Sequence, residues 1–487
     1  MTQDIARGLY SVAQVRELDR RAMASGIAGY QLMQRAAAAC WRALQERWPD
    51  ARRIHVFCGS GNNGGDGFEI ARLALSAGRS VQVSQVGEAP KSGDALTALA
   101  AWQAAGGQVG AARIADAEVI VDAIFGIGLS REVTGAAREA IIAINTAHES
   151  GAGVLAVDVP SGLDADRGCA LGVQVHADLT VTFIADKPGL HAGNPGVGQV
   201  RVADLDIPRA LREGVQAPLQ RLHETDLKRW LPARPVDAHK GRNGHVLLVG
   251  GNHGMAGAIL LAARAALRSG AGLVSVATRP RHAVALTAAQ PELMCHGVEQ
   301  AGDLLPLLQR ADTVAIGPGL GQDDWSRRVH AAVLQSDLPQ VVDADALNLL
   351  ADAPVRHAHW VLTPHPGEAA RLLACSTAVI QQDRFGAVAQ LQERYGGVVV
   401  LKGAGSLIQG ASQGLCSYGN PGMAVGGMGD VLTGVIAGFI AQGLSLGDAA
   451  CAGVLAHALA GDRAAKAGQR GLLPEDVISE LRGVVNP

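Results

Sequence analysis

Two stretches near the start of the chain, Val12 to Ala24 and Gln31 to Trp48, carry apolar residues at helical spacing and predict helices. Short β-branched runs then alternate with Ala-rich periodic segments. "RIHVFCG", "SVQVSQVG", "AEVIVDAIFG" and "GVLAVDVPSG" read as successive strands, each ending in Gly or a turn, and this alternation predicts a parallel sheet with helices on both faces. From Asp204 to Leu231 the pattern breaks into a Pro- and charge-rich stretch with no clear strand. A second series follows in "GHVLLVGG", "AGLVSVAT", "ADTVAIGPG", "LPQVVDADAL", "HWVLTPHPGE" and "GGVVVLKGAGSLI", and it ends in helices rich in Ala and Gly. The chain reads as two fused α/β domains, 1–222 and 223–487. The halves share architecture but not sequence, so there is no internal repeat.

Length supports that division, since 487 residues exceed the usual ~100 to 200 per domain. Hydrophobic residues at 48% and charged residues at 18% supply large cores and exclude a disordered chain. A net charge of -3 gives no bulk attraction toward nucleic acid or an anionic membrane, and neither is expected as a partner. The longest uncharged run, Val431 to Gly447, is short for a membrane span and carries four Gly, so it reads as a buried helix. Seven scattered cysteines without a CxxC pair fit reduced thiols, and "MTQDIARGLYS" has no apolar export segment, so a cytoplasmic location is expected. The 62 glycines against 3% aromatics suit backbone that approaches ligands closely.

The sharpest signal in the first half is "CGSGNNGGDGFEIARLAL", Cys58 to Leu75, where a strand ends in a Gly-rich loop that opens a helix. Such a loop presents backbone N–H groups to an anion at the positive end of the helix dipole. A tight strand-to-helix turn is the competing reading, but Asn62, Asn63 and Asp66 add polar groups that a turn does not require. The spacing is not that of a dehydrogenase fingerprint. Two more strand ends carry acids, Asp122 in "VDAIFGIGLSREVTG" and Asp158 in "AVDVPSGLDAD"; with Asn63 and Ser161, Asp122 offers hard oxygens to a cation. These motifs resemble the NAD(P)H-hydrate epimerases across nearly all of the first half, including "TFIADKPGLHAGNPGVGQVRVADLDIP". The resemblance implies that Asn62, Asn63, Gly64, Gly65 and Asp66, together with Gly126, Ile127, Gly128, Leu129, Ser130, Arg131 and Glu132, hold substrate. It also implies that Asn63, Asp122 and Ser161 bind potassium and that Asp158 contacts substrate, where it is the candidate for acid–base work. Lys187, in the "KPGL" turn, reads equally well as a solvated strand-end lysine.

In the second half "NPGMAVGGMGDVLTGVIAGFIAQG", Asn420 to Gly443, places Asp430 at a glycine-rich helix start. There, backbone N–H groups can stabilise a transferring phosphoryl group while the carboxylate takes the proton of an attacking hydroxyl. The stretch resembles the GxGD motif of the ribokinase-like superfamily; the bland alternative makes Asp430 a helix N-cap. With "AIGPGLG", "VVDADALNLL", "LTPHPGEAARLL" and "VVLKGAGSLI", residues 224–487 resemble the ADP- or ATP-dependent NAD(P)H-hydrate dehydratases. That resemblance implies that Ala258, Gly319, His365 and Asp430 contact the hydrated nucleotide, while Lys402, Gly403, Ala404, Gly405, Ser406 and Gly429 contact the adenine nucleotide. His365 between two prolines reads as rigid and poorly solvated, and His357 with His359 lacks the companions a zinc site needs. Val425 departs from relatives that carry a small hydroxyl residue there.

Together the resemblances imply two three-layer α/β domains, N-terminal Rossmann-like and C-terminal ribokinase-like, forming a bifunctional repair enzyme for hydrated NADH and NADPH. ADP or ATP is the implied phosphoryl donor, with Mg²⁺ at the dehydratase site and K⁺ at the epimerase site. A homo-oligomer is expected. The rival readings are a ribokinase-like vitamin or sugar kinase with a Rossmann-like appendage, and a nucleotide sensor without turnover.

Overall fold

A computed structural model describes residues 7–110, 116–411 and 413–487. The chain divides into two compact units between Gln220 and Arg221. In the first, six parallel strands lie in the order Ser80–Gln85, Arg53–Cys58, Val119–Ala123, Gly153–Val157, Leu179–Phe183 and Gln199–Ala203. Strand order reverses between Arg53–Cys58 and Val119–Ala123, and the carboxyl ends of such a pair open the crevice where these sheets take ligand. Alternation along the strands feeds two cores. Ile54, Val56, Val119, Val121 and Leu155 pack with helices Val12–Ala24, Gly29–Arg47, Asn62–Ser76 and Gly93–Ala104, while Phe57, Ile120, Val154 and Ala156 pack with Gly135–Glu149. The result is the three-layer, Rossmann-like arrangement.

Two of these strands, Leu179–Phe183 and Gln199–Ala203, lie outside the four read from the sequence. Their alternating Thr and Arg residues hid them; the buried Thr180 hydroxyl is satisfied by the Val197 carbonyl at 2.7 Å. The expectation of no strand between Asp204 and Leu231 is corrected as well, because Leu219–Arg221 is a short strand pairing antiparallel with Gly8–Leu9. Such short edge pairings leave little hydrophobic pattern to read.

In the second unit nine strands among the described residues form a mixed sheet: Gly414–Cys416, Ser406–Gln409, Val398–Leu401, Trp360–Leu362, Gln340–Val342, Thr313–Ile316, His245–Val249, Leu273–Thr278 and Met294–Gly297. The last seven run parallel and the first two are antiparallel additions at the edge. One face packs Val246, Leu248, Val274, Ala315, Val341 and Val361 against helices Ala256–Ser269, Met428–Ala441, Leu446–Ala464 and Pro474–Val484. The crossovers Asp324–Leu334, Ala344–Asp352 and Pro366–Leu373 advance in the opposite direction along the sheet, so their right-handedness puts them on the other face. Gly434 lets Met428–Ala441 lie against Ala256–Ser269, since a Cβ there would meet the Ala262 carbonyl oxygen at 2.0 Å. The uncharged run expected as a buried helix is buried from Val431 to Ala441. Among the described residues no helix is long and apolar enough to cross a membrane.

Candidate functional site

The reversal point of the first sheet holds a cavity of roughly 1020 Å³. Its wall includes Asn62, Asn63, Asp66, Asp158 and the whole segment Gly126–Glu132, so the loops singled out from the sequence converge there. Gly64 and Gly65 are buried beneath that wall: a Cβ on Gly64 would lie 1.9 Å from the Gly59 carbonyl oxygen, which forces the close strand-to-helix turn. Asp19, Arg16 and Asp94 also line the cavity, and sequence reasoning missed all three: the first two stand on an ordinary amphipathic helix and Asp94 in the first turn of an Ala-rich one.

Asp122 lies behind the cavity, fully buried at the end of strand Val119–Ala123. It accepts hydrogen bonds from Ser161 Oγ at 2.6 Å, from the Ser161 N–H at 2.7 Å and from the Ile124 N–H at 3.3 Å. Burial pushes its carboxyl up to about 6, against the pull of those donors. Ser161 Oγ in turn accepts from the Phe125 N–H at 2.8 Å, so the Asp122–Ser161 pair anchors the segment that starts the cavity wall. Asn63 Oδ1 and Asp158 Oδ2 both face Gly126, where a Cβ would lie 3.1 and 3.0 Å from them. The Asn63 amide nitrogen is buried without a hydrogen-bond partner.

Asp158 sits at φ 68°, a left-handed conformation uncommon for a side-chain-bearing residue and one that turns its carboxylate back into the site. Its Oδ1 accepts from Lys187 Nζ at 2.7 Å, from Thr182 Oγ1 at 3.2 Å and from the Phe183 N–H at 3.4 Å, while its Oδ2 accepts from the Ile127 N–H at 3.2 Å. The solvated reading of Lys187 is corrected here. Its side chain is fully buried, and besides Asp158 it donates to Thr182 Oγ1 at 2.6 Å and the Phe183 carbonyl at 3.0 Å. Burying an ammonium needs such a full set of acceptors.

In the second unit the helix Met428–Ala441 starts at Gly427, whose φ of 97° makes it the cap residue. The N-cap alternative for Asp430 is therefore corrected: it is the third residue of the helix, within its first turn, and among the described residues no hydrogen bond holds its carboxylate. Burial first, then the nearby Asp343 carboxylate, push its carboxyl up to about 7, with Lys402 pulling the other way. Lys402 Nζ pairs with Asp343 Oδ1 at 2.6 Å and reaches Glu368 Oε2 at 3.8 Å. Burial opposes the Lys402 charge, yet these carboxylates raise its pKa above the ordinary lysine value. Gly429 brings the helix start onto this pair, since a Cβ there would lie 3.2 Å from Lys402 Nζ. One turn beyond Asp430, Thr433 Oγ1 donates to Asp343 Oδ2 at 2.8 Å.

Asp343, Glu368 and Thr433 were not singled out from the sequence as site residues. All three lie inside quoted motifs, and the signal was a pair of acids at strand ends whose convergence only the fold shows. Arg384, also missed, donates to the Ala404 carbonyl at 2.5 Å and steadies the Lys402–Ser406 loop. Ala258 and Gly319 adjoin, with a Cβ on Gly319 falling 3.2 Å from Ala258 Cβ. The expectation of a poorly solvated His365 is corrected: its side chain is 52% exposed, and it caps helix Pro366–Leu373 by accepting from the Gly367 N–H at 3.0 Å. His357 Nδ1 accepts from the His359 N–H at 3.1 Å, a local turn contact.

Two α/β units, one with a ligand crevice at a strand-order reversal and one with a carboxylate and lysine at a glycine-rich helix start, describe a two-site enzyme of the ribokinase-like and Rossmann-like classes. Residues 246–482 match the family model of NAD(P)H-hydrate dehydratase, and residues 29–189 match that of the YjeF-related protein N-terminus. The bifunctional NAD(P)H-hydrate repair enzyme of Coxiella burnetii is 49% identical, over 98% of this chain and 99% of its own. The Escherichia coli enzyme of the same description is 44% identical over 99% of this chain and 93% of its own. A ribokinase-like superfamily protein from Enterococcus faecalis is 32% identical with a TM-score of 0.51, covering 55% of this chain and 95% of that one. The chain belongs to the family of bifunctional NAD(P)H-hydrate repair enzymes.

Proposed function

We propose that the first unit interconverts the R and S epimers of hydrated NADH and NADPH, and that the second dehydrates the S form at the expense of ADP or ATP. The observation that carries the second activity is Asp430, a carboxyl pushed up to about 7 at a glycine-rich helix start beside Lys402. A base with that affinity accepts a proton near neutral pH, where general base catalysis is most effective. Asp430 takes the ring hydroxyl's proton as the hydroxyl attacks the terminal phosphoryl group. Lys402 and the N–H groups of the Gly403–Ser406 loop and Gly429 hold the phosphates, and Ala258, Gly319 and His365 border the hydrated nucleotide. Loss of phosphate from that carbon, with a proton leaving the neighbouring ring carbon to solvent, then restores the double bond of the dihydronicotinamide, because phosphate leaves where hydroxide does not. Mg²⁺, when bound, neutralises phosphate charge, and the carboxylates of Asp343 and Glu368 now facing Lys402 are the residues that would hold it.

In the first unit, the segments 62–66 and 126–132 and Asp158 grip the substrate, with Asp158 in acid–base work. Asn63, Asp122 and Ser161 fit a large monovalent cation: all donors are oxygens, one carries charge, and the orphaned Asn63 amide presents an oxygen once its ends are exchanged. Potassium there would fix the asparagine loop against the strand end of Asp122. A cytoplasmic location accords with the absence of a disulfide among the seven cysteines. A homo-oligomer is part of the same reading, and sedimentation of the purified protein tests it.

Incubating the protein with both epimers of hydrated NADH and ADP, then ATP, should restore dihydronicotinamide absorbance and consume both epimers. A phosphorylated product released intact would instead favour the vitamin or sugar kinase reading.

A further inference from the structure

Among the carboxyl groups that line the cavity of the first unit, two stand in opposite hydrogen-bonding states. Asp158 accepts four hydrogen bonds and is ion-paired with Lys187. Asp66 is 8% exposed, lines the same cavity, and accepts no hydrogen bond among the described residues. A buried carboxylate lacking donors is costly, whereas the neutral acid is tolerated and has a proton to give. On the epimerase reading given above, we infer that Asp66 is the proton donor of the epimerisation, working against the Asp158 carboxylate as base.

The surroundings of Asp66 agree. Burial raises its carboxyl well above the ordinary value, and the charges of Asp158, Asp19 and Glu69 add to the effect. Glu69 is held by Tyr30 and Arg72, the thiols of Cys40 and Cys58 on the adjoining helix and strand are pushed well up by burial, and Asp94 and Arg16 stand farther along the cavity wall. The dipole of helix Asn62–Ser76 favours the ionised form, but it acts within the first turn and Asp66 lies at its end. Divergent environments for two neighbouring carboxyls are how a site assigns acid and base roles.

The chemistry follows from the substrate. Hydration of the enamine double bond of a dihydronicotinamide leaves a hydroxyl on the carbon beside the ring nitrogen. Asp66 gives its proton to that hydroxyl, and the carbon–oxygen bond breaks with its electron pair leaving on oxygen as water. The nitrogen lone pair closes a carbon–nitrogen double bond, so a cationic iminium faces a new Asp66 carboxylate. Water adds to the opposite face of the same carbon, its proton passes to Asp158, and the double-bond electrons return to nitrogen. The net change is the inverted centre and one proton moved from Asp66 to Asp158, which exchange with solvent reverses.

The test is chromatographic measurement of epimer interconversion by the full-length protein, above the uncatalysed rate, for wild type, Asp66→Asn and Asp66→Glu. Asparagine keeps the shape and the substrate hydrogen bond but cannot transfer a proton. The expected result is a ~10²- to 10⁴-fold loss of kcat with KM within a few-fold, and partial recovery in Asp66→Glu. Wild-type epimerisation should also fall as pH rises and Asp66 loses its proton, with potassium activation retained at each pH. Asp66→Asn at wild-type kcat, or with a changed KM and unchanged kcat, overturns the assignment. Absence of epimerisation by the wild type while Asp430-dependent dehydration proceeds would instead sink the epimerase reading itself. If Asp66→Asn unfolds at assay temperature, the wild-type pH profile and Asp66→Glu decide: wild-type activity that does not fall as pH rises, or a profile that Asp66→Glu leaves unmoved, refutes the proton-donor role.

Discussion

Replacing Asp430 with Asn should separate catalysis from stability in opposite directions. The change removes the base while keeping the side-chain shape, a loss worth ~10²- to 10⁴-fold in rate, or about 3 to 5 kcal/mol of barrier. The effect on folding has the other sign. The folded carboxyl titrates at about 7 against an ordinary 3.8, so the native state binds the proton more tightly than the unfolded chain does. Stability is thus greatest below the unfolded value and declines as pH rises from about 4 to about 7. A tenfold change in proton affinity is worth ~1.4 kcal/mol, so the full penalty is roughly 4 kcal/mol and about half that after solvent screening. Above neutral pH the asparagine variant escapes this penalty and should melt a few degrees higher than wild type, while losing the difference near pH 4. The assays are nucleotide-dependent return of dihydronicotinamide absorbance and thermal unfolding at pH 8 and pH 4. Dehydration within tenfold of wild type, or a variant less stable than wild type at pH 8, would refute the reasoning.

Asp122→Ala removes the acceptor of three hydrogen bonds and should abolish potassium-stimulated epimerisation at a cost of ~2 to 4 kcal/mol, read by denaturant unfolding; an unchanged potassium response counts against the cation site. Lys187→Met strands the Asp158 carboxylate in the interior and should destabilise by ~3 to 5 kcal/mol, whereas a solvated lysine would cost almost nothing to remove. Residues 1–220 and 221–487, expressed apart, should each fold, since each carries its own sheet and core; insolubility of both beside a soluble full chain would argue for one interdependent core.

Much of this protein lies in local sequence. A strand that ends in glycines and opens a helix needs only consecutive residues, so "CGSGNNGGDG" and "VGGMGD" announce their geometry directly, as do the β-branched strands buried on both faces. Strands that mix polar residues among their apolar ones, such as Leu179–Phe183 and Met294–Gly297, gave no comparable pattern. Tertiary structure alone decided which charges meet. Asp343 stands 59 residues from Lys402 and 90 from Thr433, and no spacing rule connects them. Lys187 shows the limit most plainly. A lysine at a strand end reads as solvated, and it becomes the buried partner of the Asp158 carboxylate only because the fold closes over it and supplies the acceptors its ammonium requires. Local chemistry is written in residue order, whereas charge pairing and desolvation depend on distances that exist only after the chain has packed.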